Sequence, residues 1–360
     1  MWPRRRPSQH ICLAARDIGT VEHLGAIADQ GRQAGLDVCW INLDDQPGIG
    51  TAIRTWADPM AVPTLTSSQR SLERHFKANR PAAVWVQTPY PEHYPQWFWD
   101  TAAGRVSYAG YGLTLSTWEQ GLYGLDMYRT ARWLITESEA VRAGYVRFGA
   151  DPERVCLVGN PLLYMLREAL VTSAPPSTEL LWAPHWTEDW FGRPGFSTWR
   201  ETAPVIRDFA VANPESRIRL RPHPLLPAAI ENAAADDTGA QVYRELAALP
   251  NVTVSSRRLV EDILDSAALV TDGVSIIAYW AATGRPMAIT RDETVPPFNA
   301  AGERFVELSD RTTSASQLRD WLETPASRGD GTKRRAFSEE VHPTGPDSPV
   351  ARWALRAVQT

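Results

Sequence analysis

Short apolar runs separated by amphipathic stretches of helical spacing recur along this chain, first in one series and then, after a break, in a second. The first half carries HICLAA, LDVCWINL, AAVWVQTP, RVSYAG, RWLITES and RVCLVGNP. Between the first two lies VEHLGAIADQGRQAG, whose Leu24, Ile27, Ala28 and Gly31 recur at helical intervals. Runs this short, alternating with helices, predict parallel strands covered by helices, an α/β layer architecture. Pro161 and the polar stretch from Thr172 to Thr178 then interrupt the rhythm and mark the expected interdomain connection. The second half restarts it with ELLWAPHW, SRIRLRPHP, NVTVS, ALVTDG and PMAITRD, with helices expected near Thr198 to Ala212, near Gln241 to Leu249, in LVEDILDSA and in SIIAYWAATG.

The expected organisation is therefore two Rossmann-like domains. Residues 1–170 form the N-terminal domain, 171–345 the C-terminal domain, and 346–360 a closing helix that packs back on the first domain. The length supports this, since 360 residues exceed what one hydrophobic core usually organises, about 250 to 300 residues.

The formal net charge of -5 gives no global basic field of the kind that attracts nucleic acid. Arg4, Arg5 and Arg6 read as a solvated end. Cys12, Cys39 and Cys156 are isolated in sequence within apolar runs and read as buried, reduced thiols, which points to a cytoplasmic protein. No segment has the roughly 18 apolar residues of a membrane span. The 15 tryptophans sit mostly inside apolar runs and argue for core filling. The charges around Glu261, Asp262 and Asp265 read as the solvated face of an amphipathic helix.

Ligands of open α/β sheets bind beyond the carboxyl ends of the strands. Those loops contain no GxxxxGK[ST], HExxH, CxxC or GxSxG, and GIGTAI (Gly48 to Ile53) is not a dinucleotide fingerprint. Asp-x-Asp is also absent, so a donor held without metal or other cofactor is expected. Four loops of the second half stand out. ALVTDGVSIIAYW ends a strand at Thr271 and starts a helix near Ser275, offering backbone N–H groups and a positive helix end to an anion, with Asp272, Gly273 and Ser275 in the turn. RIRLRPHP places Arg221 and His223 between Pro222 and Pro224. A histidine there can donate to a phosphate oxygen as charge develops on a leaving nucleotide. LLWAPHW supplies His185 and Trp186, while Trp182 reads as core. Arg285 and Arg291 flank the fourth loop.

In that order and spacing, WAPHW (Trp182 to Trp186), RPHP (Arg221 to Pro224) and TDGVS (Thr271 to Ser275) resemble the donor-binding segments of the CDP-glycerol glycerophosphotransferases of teichoic-acid type polymer synthesis. GNPLLYML, from Gly159, is similar to the glycine-proline segment leading into that family's second domain. The resemblance implies a GT-B fold, two Rossmann-like domains facing a central cleft. It further implies transfer of a glycerol-phosphate-like or glycosyl group from a cytidine or other nucleotide donor to a polymeric or lipid-linked cell-envelope acceptor, at the inner face of the membrane. Two departures stand out: the family's serine pair is reduced to Ser275, with Val274 beside it, and its N-domain WHG histidine has no counterpart in SYAGYGLTLS (Ser107 to Ser116).

A base must therefore come from other N-domain loops, with Asp17 and His93 as candidates and Glu22, His23, Tyr90 and Tyr111 on the acceptor side. Trp85, Tyr90, Tyr94, Trp97, Phe98 and Trp99 line either an acceptor groove, a membrane-interface contact or a core edge. Two other enzymes share features of the donor turn: GT-B glycosyltransferases using nucleotide sugars such as CMP-sugars, and nucleotide-sugar 2-epimerases. The latter are disfavoured because Ala278 and Tyr279 stand where their paired carboxylates belong. A non-catalytic nucleotide-sugar-binding module is the alternative outside enzymes.

Overall fold

A computed structural model describes residues 10–343 apart from 17, 44–50, 52, 54–67, 111, 188–194, 233–236, 292 and 325–329. The chain forms two compact units, one of Met1–Gly112, Trp118–Met165 and His342–Thr360, the other of Leu113–Thr117 and Leu166–Val341. The division at Met165/Leu166 precedes the expected boundary by five residues and falls inside a helix. The expected closing helix at 346–360 lies outside the described residues.

The first unit is a six-stranded parallel sheet in the order β2-β1-β3-β4-β5-β6. Its strands are β1 (His10–Ala15), β2 (Asp37–Asn42), β3 (Ala83–Val86), β4 (Val106–Tyr108), β5 (Leu134–Thr136) and β6 (Val155–Leu157). Helices α1 (Ile18–Gln33), α2 (Gln69–Asn79), α3 (Gln96–Ala102), α4 (Glu119–Tyr123), α5 (Asp126–Thr130) and α6 (Glu139–Arg147) connect them. Successive strand residues point to opposite faces, so Ile11 and Leu13 join a core with Val21, Leu24 and Trp85. Cys12 and Ala14 join the other core, with Leu72, Phe76 and Phe98. Both faces are covered, which is why these strands read as unbroken apolar runs.

Helix α7 (Pro161–Thr172) leads into the second unit. Pro161 thus starts a helix where a break was expected, because a first-turn proline lacks only an N–H that has no helical partner anyway. The Asn160 side chain caps this helix by accepting from Leu163 N at 2.9 Å.

The second sheet has the order β12-β11-β10-β7-β8-β9, all parallel. Its elements are β7 (Glu179–Ala183), α8 (Trp199–Ala212), β8 (Ile218–Leu220), α9 (Leu226–Glu231), α10 (Thr238–Ala247), β9 (Val252–Val254), α11 (Leu259–Asp265), β10 (Ser266–Thr271), α12 (Val274–Ala281), β11 (Met287–Thr290), α13 (Ala300–Glu307), β12 (Asp310–Thr312), α14 (Ala315–Glu323) and α15 (Gly331–Val341). Relabelled within the unit, this is the dinucleotide-fold order 3-2-1-4-5-6, and its switch point lies between β7 and β10. Trp182, Trp280 and Trp321 are fully buried here, as Trp40 and Trp85 are in the first unit.

Leu113–Thr117 is bound into the second unit. Ser116 bridges Phe298, Asn299 N donates to Leu115 O, and the Asn299 amide donates to Thr114 O, both at 2.7 Å.

Two sequence expectations change. Asp262 is completely buried, not solvated, because Arg219 and Arg221 on β8 and its exit reach it at 3.3 and 2.7 Å. Cys12 and Cys39 are buried neighbours on paired strands, whereas Cys156 is only half-buried.

Candidate functional site

Hydrogen bonding past the strand ends builds the site of the second unit. Arg221 N donates to Trp182 O at 2.8 Å and His223 N to Pro184 O at 2.9 Å, so the β7 and β8 exits stay paired beyond Leu220. This brings the rings of His185 and His223 to 4.9 Å between centroids, with Trp186 against both. Each imidazole is oriented through Nδ1. That atom of His223 accepts from Leu225 N at 3.2 Å, and that of His185 accepts from Thr187 N at 3.3 Å and lies 2.7 Å from the Thr187 hydroxyl. A neutral ring whose Nδ1 accepts carries its proton on Nε2, so both rings present an Nε2–H donor. Burial pushes the His185 imidazole well below the usual histidine range, and the neighbouring His223 pushes it further.

Across the switch point, Thr271 is the register partner of Ala183. Its hydroxyl donates to Ala183 O at 2.7 Å and accepts from Gly273 N at 2.9 Å. Asp272, also buried, accepts from His185 N at 2.5 Å through Oδ1, and from Thr198 N at 2.5 Å and the Thr198 hydroxyl at 3.1 Å through Oδ2. Burial raises this carboxyl to about 7 in spite of its donors. Thr271 and Asp272 therefore tie the β7 exit, the start of α8 and the turn after β10 together. Gly273 precedes α12, whose N-terminus no side chain caps. The first N–H groups of a helix have no partner within it, so this end is an anion-seeking terminus at the switch point. The Ser275 hydroxyl donates to Leu113 O at 3.1 Å.

Arg221, at the β8 exit, has side-chain partners on α11 and ahead of it. Its guanidinium turns to Asp262 and to Arg257 O at 2.8 Å, since on β8 and its exit Arg219 and Arg221 share the face packed against α11. Arg285 is likewise engaged, donating to the carbonyls of Ile263, Leu264 and Ser266, and Arg291 pairs with Glu303 at 3.0 Å and lies over Phe298.

Sequence reasoning missed Thr198. Its hydroxyl links Asp272 to Thr290 at 2.8 Å and borders a pocket of about 220 Å³ at the ends of β11 and β12, lined also by Glu201, Thr312 and Ser314. The one signal was a hydroxyl residue directly before a helix, Thr198 ahead of Trp199, which sequence alone reads as a cap.

In the first unit the sheet order reverses between β1 and β3. Glu22, buried, and His23, half-buried, lie on α1 after β1, while after β3 Tyr90 directly precedes the turn Pro91–His93, which His93 ends. Their rings meet edge to face at 5.3 Å. Burial and, next, the Glu92 carboxylate push the Tyr90 hydroxyl up. Thr20 on α1 approaches Gln87 at 3.5 Å, joining the two loops. Asp17 and Tyr111 lie outside the described residues. Of the aromatic cluster, Trp85, Tyr94 and Phe98 are core, and Trp97 and Trp99 are partly buried against it. No helix among the described residues is long and apolar enough to cross a membrane.

No protein-family model and no curated protein matches the chain. Solved structures do. The UDP-GlcNAc 2-epimerase of Neisseria meningitidis, determined bound to UDP-GlcNAc, superposes with a TM-score of 0.57 and 10% identity over 97% of this chain and 99% of that one. The Methanocaldococcus jannaschii UDP-GlcNAc 2-epimerase gives 0.58 and 12%, over 96% and 98%. The wall teichoic acid polymerase TagF gives 0.62 and 14%, over 98% and 89%. With two six-stranded parallel sheets of this topology, the chain has the GT-B fold.

Proposed function

We propose that this protein is a GT-B transferase that holds a nucleotide-diphosphate donor at the β7/β10 switch point and moves its activated group to a cell-envelope acceptor. The carrying observation is the pair His185 and His223, both oriented through Nδ1, with His185 tied by its backbone N–H to Asp272, two residues ahead of the uncapped start of α12. Two Nε2–H donors and a helix N-terminus suit a diphosphate. His223 donates to the phosphate that leaves with the nucleotide, and His185 stays neutral and steadies the neighbouring oxygen. The transferred group is glycerol-phosphate-like in the leading reading, with CDP-glycerol as donor, and glycosyl in the second. The acceptor base is sought at Asp17 and His93. The donor is held by these N–H groups without a metal, so omission of Mg²⁺ leaves turnover unchanged.

A 2-epimerase is favoured by the likeness to such enzymes along nearly the whole chain. Against it, Ala278 and Tyr279 fill the relevant turn of α12 and are buried. The assay separates the readings. Purified protein releases CMP from CDP-glycerol, or the nucleotide of another donor, only with acceptor present, whereas an epimerase acts on a UDP-sugar alone. His223→Ala lowers turnover at least a hundredfold with the unfolding midpoint retained. Unchanged turnover removes His223 from the mechanism, and a chain that neither binds nor converts any nucleotide donor overturns the reading.

A further inference from the structure

At the opposite, N-terminal end of the first sheet, four ligating atoms converge. His10 and Cys12 lie two residues apart on β1 and share a face; Cys39 is the register partner of Cys12 on β2 and shares it too. His75 approaches from α2, whose Leu72 and Phe76 pack into the core on that same face. His10 Nε2 and His75 Nε2 are 2.8 Å apart, the two sulfurs 2.9 Å, and His75 Nε2 lies 3.3 Å from Cys39 Sγ and 3.8 Å from Cys12 Sγ. Cys12 Sγ is also 3.8 Å from His10 Nε2, and all four atoms fall within 4.8 Å of one another. Both cysteines are free thiols.

From these atoms the geometry points to a structural zinc site formed by His10, Cys12, Cys39 and His75. Two imidazole nitrogens and two sulfurs, with no carboxylate among them, are the donor set that selects a tetrahedral zinc ion. Bonds of about 2.3 Å to sulfur and 2.0–2.1 Å to nitrogen give a tetrahedron with edges of roughly 3.3–3.8 Å. Three of the spacings above already lie in that range, and the His–His and Cys–Cys pairs need open by less than about 1 Å. The Asn79 side chain lies 3.0 Å from His75 Nδ1 and fixes the ring, as outer partners of metal-bound histidines do. The cysteines are buried while both histidines are half-buried, leaving an access route for the ion. Four protein ligands leave no open position, so the ion ties β1, β2 and α2 together and takes no part in group transfer.

The test reads metal and not donor chemistry, so it stands or falls apart from the function proposed above. Tag-free full-length protein purified without chelator carries about one zinc per chain by elemental analysis, and Cys12→Ser/Cys39→Ser carries at least about tenfold less. Should that variant fail to fold, wild-type protein stripped of metal is titrated with Co²⁺. One equivalent then gives the intense visible bands of a tetrahedral site and a near-ultraviolet thiolate-to-cobalt band, both abolished in His75→Ala. Folded wild-type protein that binds neither ion, a weak octahedral cobalt spectrum without the thiolate band, or a Cys12–Cys39 disulfide in freshly purified protein overturns the site.

Discussion

Asp272 Oδ2 accepts both the backbone N–H of Thr198, at 2.5 Å, and its hydroxyl, at 3.1 Å, so a carboxylate at the end of β10 sets the start of α8. Oδ1 of the same carboxylate fixes His185 through its backbone N–H. Because burial raises this group from 3.8 to about 7, the folded chain holds a proton there that the unfolded chain has lost. Its contribution to stability is therefore full below about pH 4 and is lost as pH rises toward 7, by on the order of 4 kcal/mol at most. Asp272→Asn removes that slope from urea midpoints measured between pH 5 and 8.

His185 behaves in the opposite sense. Its imidazole is held below its ordinary 6.5, so the unfolded chain takes up a proton on acidification that the folded chain refuses. The stability it lends is present above about pH 6.5 and declines as pH falls below it. His185→Asn, which keeps an acceptor near the Nδ1 position, flattens the acid limb of the same urea series while leaving the alkaline limb as in the parent.

Arg221→Met separates structure from donor binding. Removing one of two arginines from buried Asp262, with Arg219 and the Ser255 hydroxyl still in place, costs about 1–3 kcal/mol in unfolding free energy. Donor affinity, read by calorimetry, changes by less than about twofold, because this guanidinium is already engaged by Asp262 and Arg257 O.

Gly331→Ala is expected to be severe. A Cβ there would lie 1.8 Å from Gly284 O, which is backbone and cannot step aside, and Gly284 itself has φ +69°. A loss of more than about 2 kcal/mol, seen as a lowered thermal midpoint, follows from overpacking at a backbone contact.

The sheets were largely legible because β1, β2, β7 and β10 are apolar on both faces, which leaves an uninterrupted run in the sequence. Strand β12, with Asp310 and Arg311, borders the sheet and carries no such run. The histidine pair was legible as two loop residues after strands, but their partnership was not, since it depends on pairing that continues past the strand ends. The Arg221–Asp262 ion pair was not legible, because a strand-end arginine has two faces available and only the fold brings the buried Asp262 within its reach. The cysteines looked isolated because 27 residues separate Cys12 from Cys39, a distance that only the β1/β2 register closes.

The five residues Leu113–Thr117 give the second unit a history of its own. They supply the Leu113 carbonyl to Ser275 and the Thr114 carbonyl to Asn299, yet they are encoded within the gene segment for the other half. A recombination joint near residue 165 would transplant the histidine pair without the strap that α12 and α13 rest on. The second unit is thus not a cassette that evolution or an engineer can exchange at a single crossover; it must be inherited with its strap, in two pieces.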